Sequence, residues 1–294
     1  MSSPKNVNVH DPQYREAKAP QGIAAVPVTE LFKLNDRTVL VTGASGFLGV
    51  QVSTAILESG GDVVGLDIVE SPSTEVWDKS HLLETAKKHG RKLFYYPCNV
   101  RDEAGVAAVF EKISAAIEHP IRGLVACAGR SIAGPATEFS PDDFRSVVDL
   151  NLTGTFLVAQ AAARAVQKSG LSASFVLVAS MSGYISNKGT NTAAYCASKA
   201  AVHQLARSLA AEWGSRPGIP LIRVNTLSPG YIRTVATAAA LARPGLEAQW
   251  TGDNMLFRLS TADEFRAPVV YMLSDGSSFM TGADLRVDGG HCAW

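Results

Sequence analysis

From Arg37 almost to the C-terminus, short runs of apolar, largely β-branched residues alternate with longer alanine-rich stretches. The runs 38–43 (TVLVTG), 62–67 (DVVGLD), 92–98 (KLFYYPC), 123–129 (GLVACAG), 174–180 (SFVLVAS), 221–228 (LIRVNTLS) and 283–289 (ADLRVDG) read as strands. Strands that alternate with helical segments are the mark of repeated βα units. The expected fold is therefore α/β, a doubly wound, seven-stranded parallel sheet in a single domain over 36–294. Over 194–213, Ala197, Ala201, Leu205 and Leu209 recur at i, i+4 and give a narrow small-residue stripe for close packing. A second alanine-rich helix is expected over 151–168. Pro141 with Asp142 and Asp143 reads as a helix start, because proline there loses no hydrogen bond and acids favour the positive end of the dipole.

Two stretches break the pattern. Residues 1–35 hold Pro4, Pro12, Pro20 and Pro27 and no sustained period, as expected of an N-terminal arm. Between Tyr231 and Glu264 the chain fits neither a strand nor one clean helix.

Composition narrows the function classes. Hydrophobic residues make up 46% and charged residues 18%, so a substantial core is expected. Lys plus Arg and Asp plus Glu are both 27, so there is no net basic field to gather nucleic acid or an anionic membrane; a small molecule is the expected partner. No run approaches the roughly 18 uninterrupted apolar residues of a membrane span, and the first residues lack a signal-peptide segment. Cys98, Cys127, Cys196 and Cys292 have no CxxC spacing, which favours buried thiols in a reducing compartment over disulfides or a metal cluster. A cytoplasmic protein is expected.

The first strand runs into TGASGFLG (42–49). Gly43, Gly46 and Gly49 would let the chain turn tightly, bring a pyrophosphate against bare backbone and keep the next helix close to the sheet. Asp67 ends the second strand, where a carboxylate accepts hydrogen bonds from adenosine ribose hydroxyls and repels a 2′-phosphate. That favours NAD(H), with NADP(H) possible; the plainer role for Asp67 is a turn cap before Ser71 and Pro72. Tyr195 and Lys199, in YCASK, stand four apart and so share one helix face. An ammonium beside a phenol favours the phenolate and is expected to lower its pKa from about 10 toward the working range.

The glycine turn, CAG (127–129), NLTG (151–154), SMSG (180–183), YCASK (195–199), SPGYIRT (228–234) and TGADLRVDGG (281–290) together resemble the short-chain dehydrogenase/reductase family, in order, over about residues 36–290. RVNTLSPGYIRT and CNV (98–100) are similar to fungal polyol dehydrogenases and ketose reductases of the sorbose, xylulose and arabinitol type. The resemblance implies a Rossmann-like fold and NAD(P)(H)-dependent interconversion of a secondary alcohol and a ketone. It implies that Tyr195 is the general acid/base, that Lys199 lowers its pKa and binds the nicotinamide ribose, that Ser180 binds the substrate oxygen, and that Asn151 holds a water in a proton relay. Ser182 competes with Ser180; Ser180 is preferred because it falls at the strand's carboxyl end, where doubly wound sheets place ligands. The cofactor is expected along Gly43, Ser45, Gly46, Phe47, Leu48 and Gly49, with adenine near Asn99 and Val100. Ala128 and Gly129 would line its path. Pro229 and Gly230 would shape the loop that brings Ile232 and Thr234 to the carboxamide. The 231–264 stretch corresponds to a flap over substrate, and members often form dimers or tetramers.

The sequence departs from the family pattern in three places. Phe47 stands where the middle glycine is expected and Gly46 comes one place earlier; Asn99 replaces an Asp; Cys127 replaces an Asn. Two other functions fit parts of the pattern: a reductase of a larger ketone in a secondary-metabolite pathway, and a dinucleotide-binding regulator without catalysis.

Overall fold

A computed structural model describes residues 26–72, 82–214 and 218–294. Most of the expected N-terminal arm lies outside the described residues; its end forms one helical turn at Val28–Leu31.

The seven strands are β1 (Thr38–Thr42), β2 (Asp62–Asp67), β3 (Leu93–Pro97), β4 (Ile121–Ala126), β5 (Ala173–Val178), β6 (Ile222–Pro229) and β7 (Asp284–Val287). They form one sheet in the order β3-β2-β1-β4-β5-β6-β7, with every pair parallel. Strand order reverses between β1 and β4, which opens a crevice at the carboxyl edge of those strands. Each of the seven apolar runs thus became a strand. β1, β5 and β6 are buried along their whole length, which parallel strands covered by helices on both faces require.

One face is covered by α1 (Phe47–Glu58), α2 (Leu82–His89) and α9 (Arg266–Leu273), whose apolar residues pack with Val39, Val41, Val63, Val125 and Val176. The other carries α3 (Glu103–Ala116), α5 (Thr155–Ser169) and α6 (Ala193–Trp213), packed on Leu40, Leu124, Phe175 and Leu177. Full burial of one such side chain stabilises by about 1.5–3 kcal/mol, so this two-sided core holds the strand ends rigidly enough to carry a site.

α4 (Pro141–Val148) begins as expected: Pro141 follows the N-cap Ser140, whose hydroxyl accepts from the N–H groups of Asp142 and Asp143. The helix expected over 151–168 is corrected at its start. Residues Asp149–Gly154 form a π-helical turn, and α-geometry resumes only at Thr155. The 231–264 stretch resolves into two short helices, α7 (Val235–Leu241) and α8 (Leu246–Gly252). Among the described residues no helix is long and apolar enough to cross a membrane. All four thiols are free; Cys98 is buried and the others are half-buried.

Candidate active site

The turn after β1 is built on two glycines. Gly43 has φ +64°, and a Cβ there would sit 3.0 Å from the Ala128 nitrogen, so the turn presses against the end of β4. Ala128 N–H in turn donates to Thr42 Oγ1 (3.1 Å). At Gly49 a Cβ would lie 2.2 Å from the Gly43 carbonyl oxygen, which no side chain tolerates. Gly46 is the N-cap of α1 with ordinary extended backbone (φ −79°), though a Cβ there would sit 3.2 Å from the Gly43 carbonyl oxygen, a tighter approach than most side chains make. The shifted motif still places glycine at each of the three crowded positions, 43, 46 and 49. Phe47 takes the first helical position, half exposed, while Leu48 tucks against the core. No side chain caps α1, so its first-turn N–H groups and dipole face the crevice.

Asp67 stands at the end of β2 beside this turn. Its carboxylate accepts from Ser45 N–H (2.9 Å) and Ile68 N–H (2.7 Å), which fixes its orientation. The uncapped helix start, the glycine cradle that a Cβ would fill and the anchored acid fit a dinucleotide laid across the sheet edge. Asn99 is exposed, its side-chain oxygen accepting from Arg101 N–H (3.2 Å). Val100 is buried with its Cγ2 against Gly154, so its side chain belongs to the core.

Tyr195 and Lys199 occupy the first turns of α6 and do share a face: Lys199 Nζ lies 5.7 Å from the centre of the Tyr195 ring. The ammonium is buried and donates to the Val178 carbonyl at the end of β5 (2.7 Å). Ser180, two residues beyond that strand, lies beside the phenol, near enough that its hydroxyl favours the phenolate. Its Oγ also accepts from Ser182 N–H (3.1 Å). Ser182 itself points elsewhere, donating to Asn187 Oδ1 (2.8 Å), whose amide bonds Thr192 Oγ1 (2.9 Å). Of the two serines, the one at the strand's end faces Tyr195.

Electrostatics corrects one expectation. Burial pushes the Tyr195 phenol above its ordinary pKa of 10.0, against the lowering effect of the Ser180 hydrogen bond; Lys199 is not among the groups that shift it. Lys199 is itself pushed down to about 8, first by burial, with the Cys127 thiol opposing. The polypeptide thus favours a neutral phenol beside a weakened ammonium, because desolvation outweighs attraction between groups this far apart. Cys127, where the family pattern has an asparagine, is pushed up to about 12 by the same burial.

Asn151 lies in the π-helical turn, fully buried. Both of its amide protons are engaged, by the Arg130 carbonyl (2.9 Å) and Ser198 Oγ (2.9 Å), and its Oδ1 accepts from Arg130 N–H (2.9 Å). The side chain braces the loop after β4 against α6, and a relay water would be left one lone pair of Oδ1. Gly129 is squeezed against this brace: a Cβ there would meet Asn151 Oδ1 at 3.2 Å and Lys199 Nζ at 3.5 Å. Sequence reasoning missed Ser198, which links Asn151 to the Tyr195 carbonyl (2.7 Å). Its place inside YCASK, three residues after Tyr195, was the available signal.

On the far side, Pro229 ends β6, and Gly230 passes so close to β7 that a Cβ would lie 2.7 Å from Asp288 Cα. Ile232 pairs with Ser260, and Thr234 caps α7, its N–H donating to Thr237 Oγ1 (3.0 Å). α8 closes on the loop opposite: Leu246 and Gln249 pack on Gly189, and Lys188 pairs with Asp253 (3.4 Å). Trp250 stacks face to face on Tyr231 at 3.8 Å.

A doubly wound sheet with a glycine turn, an anchored acid at β2 and a Ser/Tyr/Lys cluster at the ends of β5 and α6 defines a class: dinucleotide-dependent oxidoreductases. Comparison with known proteins agrees. A family profile described as Enoyl-(Acyl carrier protein) reductase matches residues 43–291. The short chain dehydrogenases/reductase notP' of Aspergillus versicolor is 60% identical over 294 residues, covering 100% of both chains. Sorbose reductase sou1 of Schizosaccharomyces pombe is 35% identical over 90% of this chain and 100% of its own. The crystal structure of the NADPH-dependent 3-quinuclidinone reductase from Rhodotorula rubra superposes with a TM-score of 0.81 at 30% identity, covering 94% of this chain and 99% of that one. The chain belongs to the short-chain dehydrogenase/reductase family. It is an oxidoreductase of CH–OH groups that uses NAD(P).

Proposed function

We propose that the protein interconverts a polyol and its ketose, with Tyr195 as general acid/base and NAD(H) as the preferred cofactor. The observation that carries this reading is the convergence of Ser180, Tyr195 and Lys199 at the carboxyl edge of the sheet, beside the glycine turn. The bound nicotinamide supplies or accepts the hydride at carbon. For reduction, Tyr195 hands its phenolic proton to the carbonyl oxygen while Ser180 donates to the same oxygen. The neutral phenol that burial favours is the form able to do this. Lys199, held by the Val178 carbonyl and softened to about 8, is placed to sustain the charge left on the phenol. Asn151 and Ser198 keep the start of α6 in register with the loop after β4.

The cofactor preference follows from Asp67: a carboxylate fixed by two backbone N–H groups suits ribose hydroxyls and opposes a 2′-phosphate. Similarity to sorbose reductase sou1 supports the sugar substrate. In this reading the enzyme works in the cytoplasm as a homo-oligomer. A second reading, reduction of a larger ketone, is favoured by the apolar residues that follow α8: Met255, Leu256 and Phe257 are all exposed, and a polyol offers nothing to pair with them. Steady-state assays against pentitols, hexitols, ketoses and bicyclic ketones with both dinucleotides separate the two. Tyr195→Phe should abolish turnover with dinucleotide affinity nearly unchanged; retained turnover would refute the assignment.

A further inference from the structure

His203 is one turn beyond Lys199 and two beyond Tyr195 on the same face of α6, and only 3% of it is exposed. Its ring is enclosed by oxygen atoms. Nε2 lies 3.4 Å from the Ser180 carbonyl and 3.5 Å from Ser228 Oγ; Nδ1 lies 3.3 Å from Thr226 Oγ1 and 3.5 Å from Asp284 Oδ1. Asp284 anchors the group from β7 by accepting the hydroxyls of both Thr226 and Ser228 at 2.6 Å. Tyr184 covers one side of the ring at 4.4 Å between centroids. At Gly183 a Cβ would fall 2.6 Å from His203 Cδ2, so the turn after β5 is moulded onto the imidazole.

A carbonyl can only accept, so the Ser180 contact requires the proton on Nε2; burial pushes the imidazole toward its neutral form, which leaves Nδ1 an acceptor facing Thr226 Oγ1 and not a donor to Asp284. The residue gripped in this way is the one whose hydroxyl meets Tyr195. The Ser180 carbonyl accepts from the Gly183 N–H (3.0 Å) and faces His203 Nε2 (3.4 Å), the one side chain among the described residues that holds it, while its Oγ accepts from Ser182 N–H.

We propose that His203 is a positioning residue, packed in place by Tyr184 and the turn at Gly183, whose Nε2–H helps fix the Ser180 backbone and so aims the Ser180 hydroxyl at the substrate oxygen. This rests on the carbonyl-reduction reading above. A positioning role lowers the rate of the chemical step without weakening ground-state binding, since Ser180 acts where charge develops.

The test compares His203→Leu, which keeps bulk without a donor, with His203→Gln, which keeps an N–H near the Nε2 position. For a carbonyl substrate turned over by the wild type, kcat of His203→Leu should fall about tenfold, with KM and dinucleotide Kd within about twofold. His203→Gln should recover most of that loss. Equal impairment of both variants, or a change confined to KM, makes His203 a packing residue and overturns the proposal; so does an unchanged kcat in His203→Leu. If His203→Leu does not fold, His203→Met, which likewise lacks a donor, must show the same loss in kcat alone, and its absence overturns the proposal. No turnover of any carbonyl by the wild type overturns the reaction itself and this role with it, a result distinct from active enzyme with an unaffected variant.

Discussion

Replacing Lys199 by methionine should make the protein without dinucleotide more stable while destroying its activity. The folded chain holds this ammonium with only 5% of the residue exposed, and it loses its proton near pH 8, against 10.5 for the ordinary side chain. Below pH 8 both folded and unfolded chains carry the charge, and folding then bears the whole cost of burying it, about 3 kcal/mol. Methionine of similar length removes that cost but deprives the Val178 carbonyl of its 2.7 Å donor, a loss of about 1–2 kcal/mol. The net gain at pH 7 is about 1–2 kcal/mol. It should narrow by about 1 kcal/mol by pH 9, because between 8 and 10.5 the unfolded wild type binds a proton that the folded one has released, so wild-type stability rises there. Cys98, away from Lys199, is present in both proteins and cancels in the difference, and Cys127, which feels the ammonium, is held neutral through this range by burial in either. Urea unfolding followed by tryptophan fluorescence at pH 7 and 9 measures both quantities. A variant less stable than wild type at pH 7, or a gap that widens with pH, would refute the claim that this cation is held at a desolvation cost.

Two further outcomes follow from the cofactor side. Gly49→Ala places a methyl 2.2 Å from the Gly43 carbonyl, so it should destabilise the protein by about 3 kcal/mol and abolish dinucleotide binding, read by thermal unfolding and by fluorescence titration. Asp67→Ser removes the charge at the end of β2; the ratio of kcat/KM for NADH over NADPH should fall about tenfold or more, and an unchanged ratio would remove Asp67 from the discrimination.

The parts of the fold that were legible in the sequence share a physical cause. A buried parallel strand needs an unbroken apolar run, and every such run, from TVLVT to DLRV, became a strand in the sheet. The glycine turn was legible because Gly43 and Gly49 meet steric demands no other residue satisfies, with Gly46 crowded to a lesser degree between them. The juxtaposition of Tyr195 and Lys199 followed from helix periodicity alone. The sign of the Tyr195 shift did not, since it depends on how much protein surrounds the phenol, and a spacing of four residues carries no information on burial. His203 was illegible for a related reason: its partners come from β6, β7 and the turn after β5, far apart in the chain. The stack of Trp250 on Tyr231 joins a helix to a loop and leaves no periodic trace.

The π-helical turn at Asp149–Gly154 makes the site sensitive to chain length in a way substitutions would not reveal. Each residue of a regular helix advances the winding by about 100°, and a wide turn absorbs an additional residue without passing that rotation on. Deleting one position there other than Asn151 would let the winding close up into ordinary α-geometry. That would swing Asn151 away from Arg130 and Ser198 while barely disturbing the hydrophobic face of α5. Drift in the lineage can therefore proceed by replacement along this segment, but a single-codon gap would unhook the brace.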